Sequence, residues 1–203
     1  MNGPPPASPT GSAATTTRLL EATRRCIVER GVAGTTSREI AAAAGTNLQA
    51  ITYHYGSKDE LVARALVESV REWVDPALVE LRGDGDPAAR LLTAVQVLTA
   101  GFEARRAEAP ALLEALVQAN RLPRLREAVV ELWDDLRTEL ADQVTQLHAD
   151  GHVPDWVDPP AMAGLLVAVA HGLVLQVTVD PDGPSMPEMA TQFAALLVQA
   201  GRP

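Results

Sequence analysis

One cysteine, one lysine and very few rings narrow what this chain can be. A lone Cys26 excludes an internal disulfide framework and any multi-cysteine zinc site, and its place on the apolar side of the first helix reads as a buried core thiol. No basic stretch leads into an apolar run near the start, so no signal peptide is expected and the expected setting is cytoplasmic. There is no nucleophile elbow, phosphate-binding glycine loop, zinc motif or paired-carboxylate site. The segment Asp180-Pro181-Asp182-Gly183 has too few oxygen ligands in register for a calcium loop. An enzyme is not expected, nor is any cofactor or metal. Residues 1–15 carry no charged side chain and are rich in Pro, Ser, Ala, Gly and Thr, which predicts a disordered arm. Without Arg or Lys that arm has nothing to place in a minor groove.

What is present is ordinary for a soluble globular protein of one or two small domains: 203 residues, 47% hydrophobic, mean hydropathy +0.03. The net charge of −9 is unevenly spread. Residues 1–58 hold six basic side chains (Arg18, Arg24, Arg25, Arg30, Arg38, Lys58) against three acidic ones, a balance of +3. The rest of the chain balances to −12. A basic head on an acidic body is what selective attraction to phosphate requires.

Apolar spacing is helical throughout, with no strand-like alternation of any length. Thr36-Ser37-Arg38-Glu39 has the form of a capping box, opening a helix through Ile40 and Ala41 to Ala44 that Gly45 stops. Asn47 can cap a second short helix, Leu48 to Tyr55, ended by Gly56. Ser57-Lys58-Asp59-Glu60 is a second capping box, starting a long helix to about Leu81. Further helices are predicted from Pro87 to about Ala107, from Pro110 to Gln118 or Asn120, from Pro123 to Gly151, from Pro159 to about Val179, and from Pro187 or Glu188 to Ala200. The Pro123 helix carries one apolar stripe, Leu125, Val129, Leu132, Trp133, Leu136, Leu140, Val144 and Leu147. The fold class is therefore all-α, with about nine helices.

Helix, tight glycine turn, helix is the grammar of the DNA-binding helix-turn-helix, whose second helix lies in the major groove. Ile51 points into the head's core, while Leu48, Gln49 and Ala50 lead into the groove. Gln49 can pair with adenine or accept from cytosine, and Leu48 or Ala50 can touch a thymine methyl. Tyr55 reads as core packing, Arg18 and Arg24 as a solvated face.

The ordered landmarks Glu29-Arg30-Gly31, Thr35-Thr36, Ile40-Ala41, Gly45, Ile51-Thr52-Tyr53-His54-Tyr55, Ser57-Lys58 and Glu60-Leu61 resemble the N-terminal domain of the TetR/AcrR transcriptional regulators over about Thr17 to Leu66. Two positions depart from that pattern. Thr46 stands where an aliphatic residue is usual, and Thr52 where a phosphate-contacting tyrosine is common. The resemblance implies base or phosphate contact at Ser37, Arg38, Leu48, Gln49, Ala50, Thr52, Tyr53, His54 and Lys58. It implies a helix-turn-helix domain over 16–56, and a ligand-binding and dimerisation domain over 57–203. Trp73, Phe102 and Trp133 can be explained by core packing alone, but the resemblance also implies a ligand cavity in the body, placed near Leu66, Val70, Trp73, Leu92, Val95, Gln96, Thr99, Phe102, Leu112, Leu116, Trp133 and His171. Aromatic residues are only 3% of the chain, so such a cavity would be mostly aliphatic and suit a small apolar effector. His171 is the one polar ring inside an apolar helix, either a satisfied core residue or a ligand contact. His148 and His152 share a metal-ligand spacing, but Gly151 between them breaks the helix, and His148 reads as a charge at a helix C-terminus.

Residues 161–179 are nearly free of charge and long enough to cross a bilayer. Asp155, Asp158, Asp180 and Asp182 flank them, with no nearby Lys or Arg anchor. A helix apolar all round needs burial on all sides, which here predicts a subunit interface. The last helix, with Met189, Phe193, Leu196 and Leu197, would complete a four-helix bundle between two copies. The expected function is a homodimeric, ligand-responsive repressor of palindromic operator DNA. The alternatives are an activator or ligand-independent regulator of the same fold, or an all-α small-molecule binding protein without DNA binding.

Overall fold

The computed structural model describes residues 9–200, and among them every regular element is helical. The α-helices are α1 (Pro9–Gly34), α2 (Ser37–Ala43), α3 (Leu48–Tyr55), α4 (Lys58–Arg82), α5 (Pro87–Ala104), α6 (Ala109–Ala119), α7 (Pro123–Ala149), α8 (Pro159–Val179) and α9 (Met186–Ala200). A single 3₁₀ turn, Arg106–Glu108, joins α5 to α6, so α5 stops about one turn short of the predicted Ala107.

Local chemistry sets most of the helix starts. Thr36 accepts from the Glu39 N–H while the Glu39 carboxylate accepts from the Thr36 N–H at 3.0 Å, a complete capping box. Asn47 caps α3 through the Ala50 N–H, Ser57 caps α4 through the Glu60 N–H, and Asp86 and Asp158 do the same for α5 and α8. Ser185 and Glu188 form a further capping box at α9. Gly45 and Gly56 take positive φ at the ends of α2 and α3, where a side chain would be strained.

One difference from the sequence reading stands out in α1, at its start. Of the arm expected to be disordered, residues 1–8 lie outside the described residues, whereas 9–15 are helical. The alanines at 13 and 14 favour helix, and the Thr16 and Thr17 hydroxyls are absorbed by the Ser12 and Ala13 carbonyls one turn back. At the other end α1 is broken inside its last turn by Gly31, with φ 71° and ψ 170°. The regular part of the helix thus ends at the Glu29-Arg30-Gly31 landmark.

The chain divides into two compact units. One takes residues up to Ser69 together with Pro110–Val129; the other takes Val70–Ala109 and Val130 onward. In the first, α1, α2 and α3 pack pairwise around Leu19, Ala22, Cys26, Ile40, Ala41, Ala44, Ile51 and Leu61. In the second, α9 packs on both α5 and α8. The α7 stripe is buried at Leu125, Val129, Leu132, Leu136 and Val144.

Candidate nucleic-acid interface and body cavity

In the first unit, α3 is held by one side and open on the other. Ile51 is 2% exposed in the head core, and Tyr55 packs on the same cluster. The Tyr55 hydroxyl donates to the Thr16 carbonyl at 3.2 Å, and burial, with Glu68 adding to it, pushes the phenol up to about 12. Tyr55 is therefore a fastener between α3 and α1 rather than a contact for nucleic acid. The opposite face carries Leu48, Gln49, Thr52 and Tyr53, all exposed, with Tyr53 at 80%. Ala50 is half-buried at the edge of that face.

The remaining expected contacts surround this face. Arg38 is exposed on α2 and Ser37 is half-buried at its start. His54 is half-buried, its ring edge-on to Tyr53 at 4.9 Å, with Nδ1 3.5 Å from the Thr16 hydroxyl. The Lys58 ammonium donates to the Thr35 carbonyl at 3.2 Å and lies 3.6 Å from the Asp59 carboxylate, so a phosphate would have to compete for it. Arg30 pairs with Glu39 at 3.2 Å, and Arg25 donates to the Ala43 carbonyl at the end of α2. Hydrogen bonds from the Thr36 hydroxyl and N–H hold the Glu39 carboxyl below its ordinary value.

The twelve expected ligand positions fall in both units. In the first, Leu66 is buried, and Leu112 and Leu116 are half-buried. In the second, Trp73 and Phe102 lie 5.5 Å apart, and the Trp73 indole N–H donates to the Leu98 carbonyl at 2.7 Å. A methyl placed on Gly101 would sit 3.0 Å from the Trp73 ring, so this neighbourhood is closely packed. Thr99 is buried and bonded to the Gln96 carbonyl; Val70 and Val95 are half-buried, and Gln96 and Leu92 are exposed. The His171 ring lies 5.3 Å from Trp133, and burial holds it below the ordinary imidazole value.

Open space lies elsewhere in that unit. A cavity of about 440 Å³ is lined by Leu81, by Asp86 to Leu91 save Ala89, by Leu140, Gln143, Val144 and Leu147, by the 152–157 loop, and by Met162, Leu166, Leu197 and Val198. None of the twelve expected residues lines it. The loop wall is fastened by His148, whose Nε2 lies 3.1 Å from the Asp155 carboxylate, while His152 faces the cavity. Arg90 is the residue that sequence reasoning missed. It is the only cation in α5, and it sits in the first turns, where the helix dipole disfavours positive charge. That misplaced charge was the available signal.

On α8 only Ala163, Val174 and Val177 are fully buried. Ala161, Leu165, Ala168, Leu175 and Val179 are exposed and recur at steps of four, three, seven and four residues along one face. Gly164 and Gly172 lie beside that row, and an added methyl at either would meet nothing within 4 Å. Pro159–Val179 is long and apolar enough to cross a membrane by length and composition.

Comparison with known proteins places these features. The family profile "Bacterial regulatory proteins, tetR family" matches residues 19–65, and "BetI-type transcriptional repressor, C-terminal" matches residues 87–200. The HTH-type transcriptional regulator PksA of Bacillus subtilis (strain 168) is 43% identical over 49 residues, which cover 24% of this chain and 24% of PksA. Among solved structures, a TetR transcription regulator from Haloarcula marismortui is 26% identical with a TM-score of 0.77, covering 93% of this chain and 98% of its own. A transcriptional regulator from Rhodococcus sp. Rha1 is 29% identical with a TM-score of 0.68, covering 91% and 96%. The fatty acid degradation regulator FadR from Bacillus halodurans shares the fold at 15% identity, with a TM-score of 0.77 over 96% of this chain and 97% of its own.

Proposed function

The chain belongs to the TetR family of bacterial regulatory proteins, and from that premise we infer that it is a ligand-responsive repressor binding palindromic operator DNA as a homodimer. The carrying observation is α3, anchored by Ile51 and Tyr55 and presenting Leu48, Gln49, Thr52 and Tyr53 to solvent. One two-turn helix reads only a few base pairs, so useful specificity needs a second copy at a fixed distance. Leu48 and Gln49 are assigned to base edges, with Ala50 beside them. Ser37, Arg38, Thr52, Tyr53, His54 and Lys58 are assigned to the phosphates on either side.

The second copy is expected to dock on α8 and α9. An exposed apolar row this long is costly in water, and an equivalent row on a partner would cover it. The open positions of Gly164 and Gly172 fit that reading, because nothing among the described residues requires glycine there. Aspartates cap and follow α8 at Asp158 and Asp180, which argues for a protein partner over a bilayer. The repressor sign is supported by the likeness of residues 87–200 to the C-terminal domain of BetI-type transcriptional repressors.

An effector is proposed to bind the second unit and lower operator affinity. The continuous helix α4 carries Lys58 at its start and the cavity residue Leu81 near its end, so one element belongs to both tasks. The effector must favour the non-binding state, and a coupling of ~1–3 kcal/mol gives about a 5–150-fold loss of operator affinity. Selection from a random duplex pool followed by sedimentation of the complex tests the whole reading. The expected product is an inverted repeat with half-site centres about 34–36 Å apart, or a multiple, bound by two chains. Tight binding by a single chain, or selection of sites without symmetry, refutes it.

A further inference from the structure

We propose that the 440 Å³ cavity of the second unit is a site for an amphipathic monoanion, a carboxylate with an aliphatic tail, whose head is bound by Arg90. This deepens the effector reading above and rests on it only for the regulatory consequence.

The walls select the tail. Leu81, Leu91, Leu140, Val144, Leu147 and Leu166 belong to a mostly apolar lining, whose polar side chains include Asp86, Arg90, Gln143 and His152. At ~30 Å³ for each water-sized group, the space holds about fifteen such groups, a medium-length chain with its head. The volume lies within the usual range of small-molecule sites.

Arg90 selects the head. Its Nη1 donates to the Gly83 carbonyl at 2.6 Å, but its Nε is buried without any hydrogen-bond partner, and among the described residues no carboxylate lies within ion-pair distance of it. That enclosed Nε is out of reach of the cavity, so it is the other N–H groups of the Arg90 guanidinium, a residue of the lining, that an anion in the cavity would meet as its counter-charge. The apolar surroundings strengthen that bond relative to water. Gln143, half-buried in the same wall, offers an amide donor. The one carboxylate on the lining, Asp86, is exposed and already caps α5 through the Ala89 N–H at 2.8 Å, so it does not serve as an inner counter-charge for a cation. Trp156, 72% exposed and also part of the lining, stands at the mouth and can report occupancy.

The test uses the full chain and three probes of matched tail, decanoate, decanol and decylamine, titrated by calorimetry and by tryptophan fluorescence with Trp156→Phe as the assignment control. Decanoate is expected to bind about tenfold or more tighter than decanol, and decylamine weakest, as a charge-assisted hydrogen bond warrants. Arg90→Met, which keeps the apolar stem, should erase the preference for decanoate and leave decanol binding in place. Val144→Phe, which fills the cavity, should weaken both; it keeps the proposal testable if loss of the Gly83 contact unfolds the Arg90 variant. Equal affinity for decanoate and decanol, a preference that survives Arg90→Met in a folded protein, or binding untouched by Val144→Phe overturns the site. Operator affinity is measured separately. Decanoate that binds as described without changing operator affinity upholds the site and refutes the effector reading; an operator response to other compounds with no decanoate binding does the reverse.

Discussion

Replacing Gly31 with alanine should destabilise the protein by about 2 kcal/mol, and the structure separates two causes. The first is the backbone. Gly31 holds φ 71° and ψ 170°, a region essentially confined to glycine, and occupying it with a side chain costs about 1–3 kcal/mol. The second is a collision: a methyl there would lie 2.5 Å and 2.8 Å from the two carboxylate oxygens of Glu114 on α6. Those oxygens end a flexible, half-buried side chain that can swing away, so the collision should contribute little. In a chain of this size each kcal/mol lowers the melting temperature by about 2–4 °C, which makes the expected fall roughly 4–8 °C. Thermal and urea unfolding followed by far-ultraviolet circular dichroism will measure it. The control is the cycle through Glu114→Ala: the double variant should recover only a minor part of the loss. If Gly31→Ala melts with the parent, or if removing Glu114 restores it fully, then backbone strain is not what fixes glycine at the break in α1.

Three further expectations concern function and pH. Lys58→Ala should weaken binding to every duplex and lower the salt slope by about one ion, whereas Gln49→Ala should change sequence preference by ~1–3 kcal/mol at one position; uniform losses for both in gel-shift titrations would undo the assignment. Because Thr36 holds the Glu39 carboxyl below its ordinary value of 4.5, the stability from this cap is complete above that value and is lost as pH falls through the lower folded value. Glu39→Gln should flatten that part of the acid unfolding curve, and since Ser185 lowers Glu188 in the same direction, the pair Glu39→Gln/Glu188→Gln should flatten it further. Gly172→Leu should convert the proposed dimer to monomer in sedimentation without loss of helicity, since the added side chain starts into open space; a persistent dimer would move the interface off α8.

What could be read in the chain without coordinates was whatever is decided within four residues. The boundaries of α2, α3 and α8 follow from side chains bonding to backbone N–H groups three positions on, and such bonds do not depend on the rest of the fold. The outward row of α3 followed from the same local geometry once Ile51 was assigned inward. The cavity was not legible, because it is assembled from parts of α4, α5, α7, α8 and α9 and a loop, and its leucines look in sequence like any core leucines. Trp73, for which core packing alone was one of two readings, satisfies its indole N–H on Leu98 and fills the space beside Gly101, so that ring occupies volume there. The extension of α1 back to Pro9 was hidden because a segment poor in apolar residues carries no amphipathic signal, even where alanine and threonine allow helix.

With one lysine in 203 residues, amine chemistry has a single side-chain address, and that address is the start of α4 against the Thr35 carbonyl. Coupling the protein to a surface or a dye through side-chain amines would therefore tether it beside the helix-turn-helix rather than at random. Such a preparation would underreport DNA binding for reasons unrelated to affinity. The same economy offers a footprint: acylation of Lys58, read as one mass increment on one peptide, should slow when duplex DNA shields it and return to its original rate when the DNA is released.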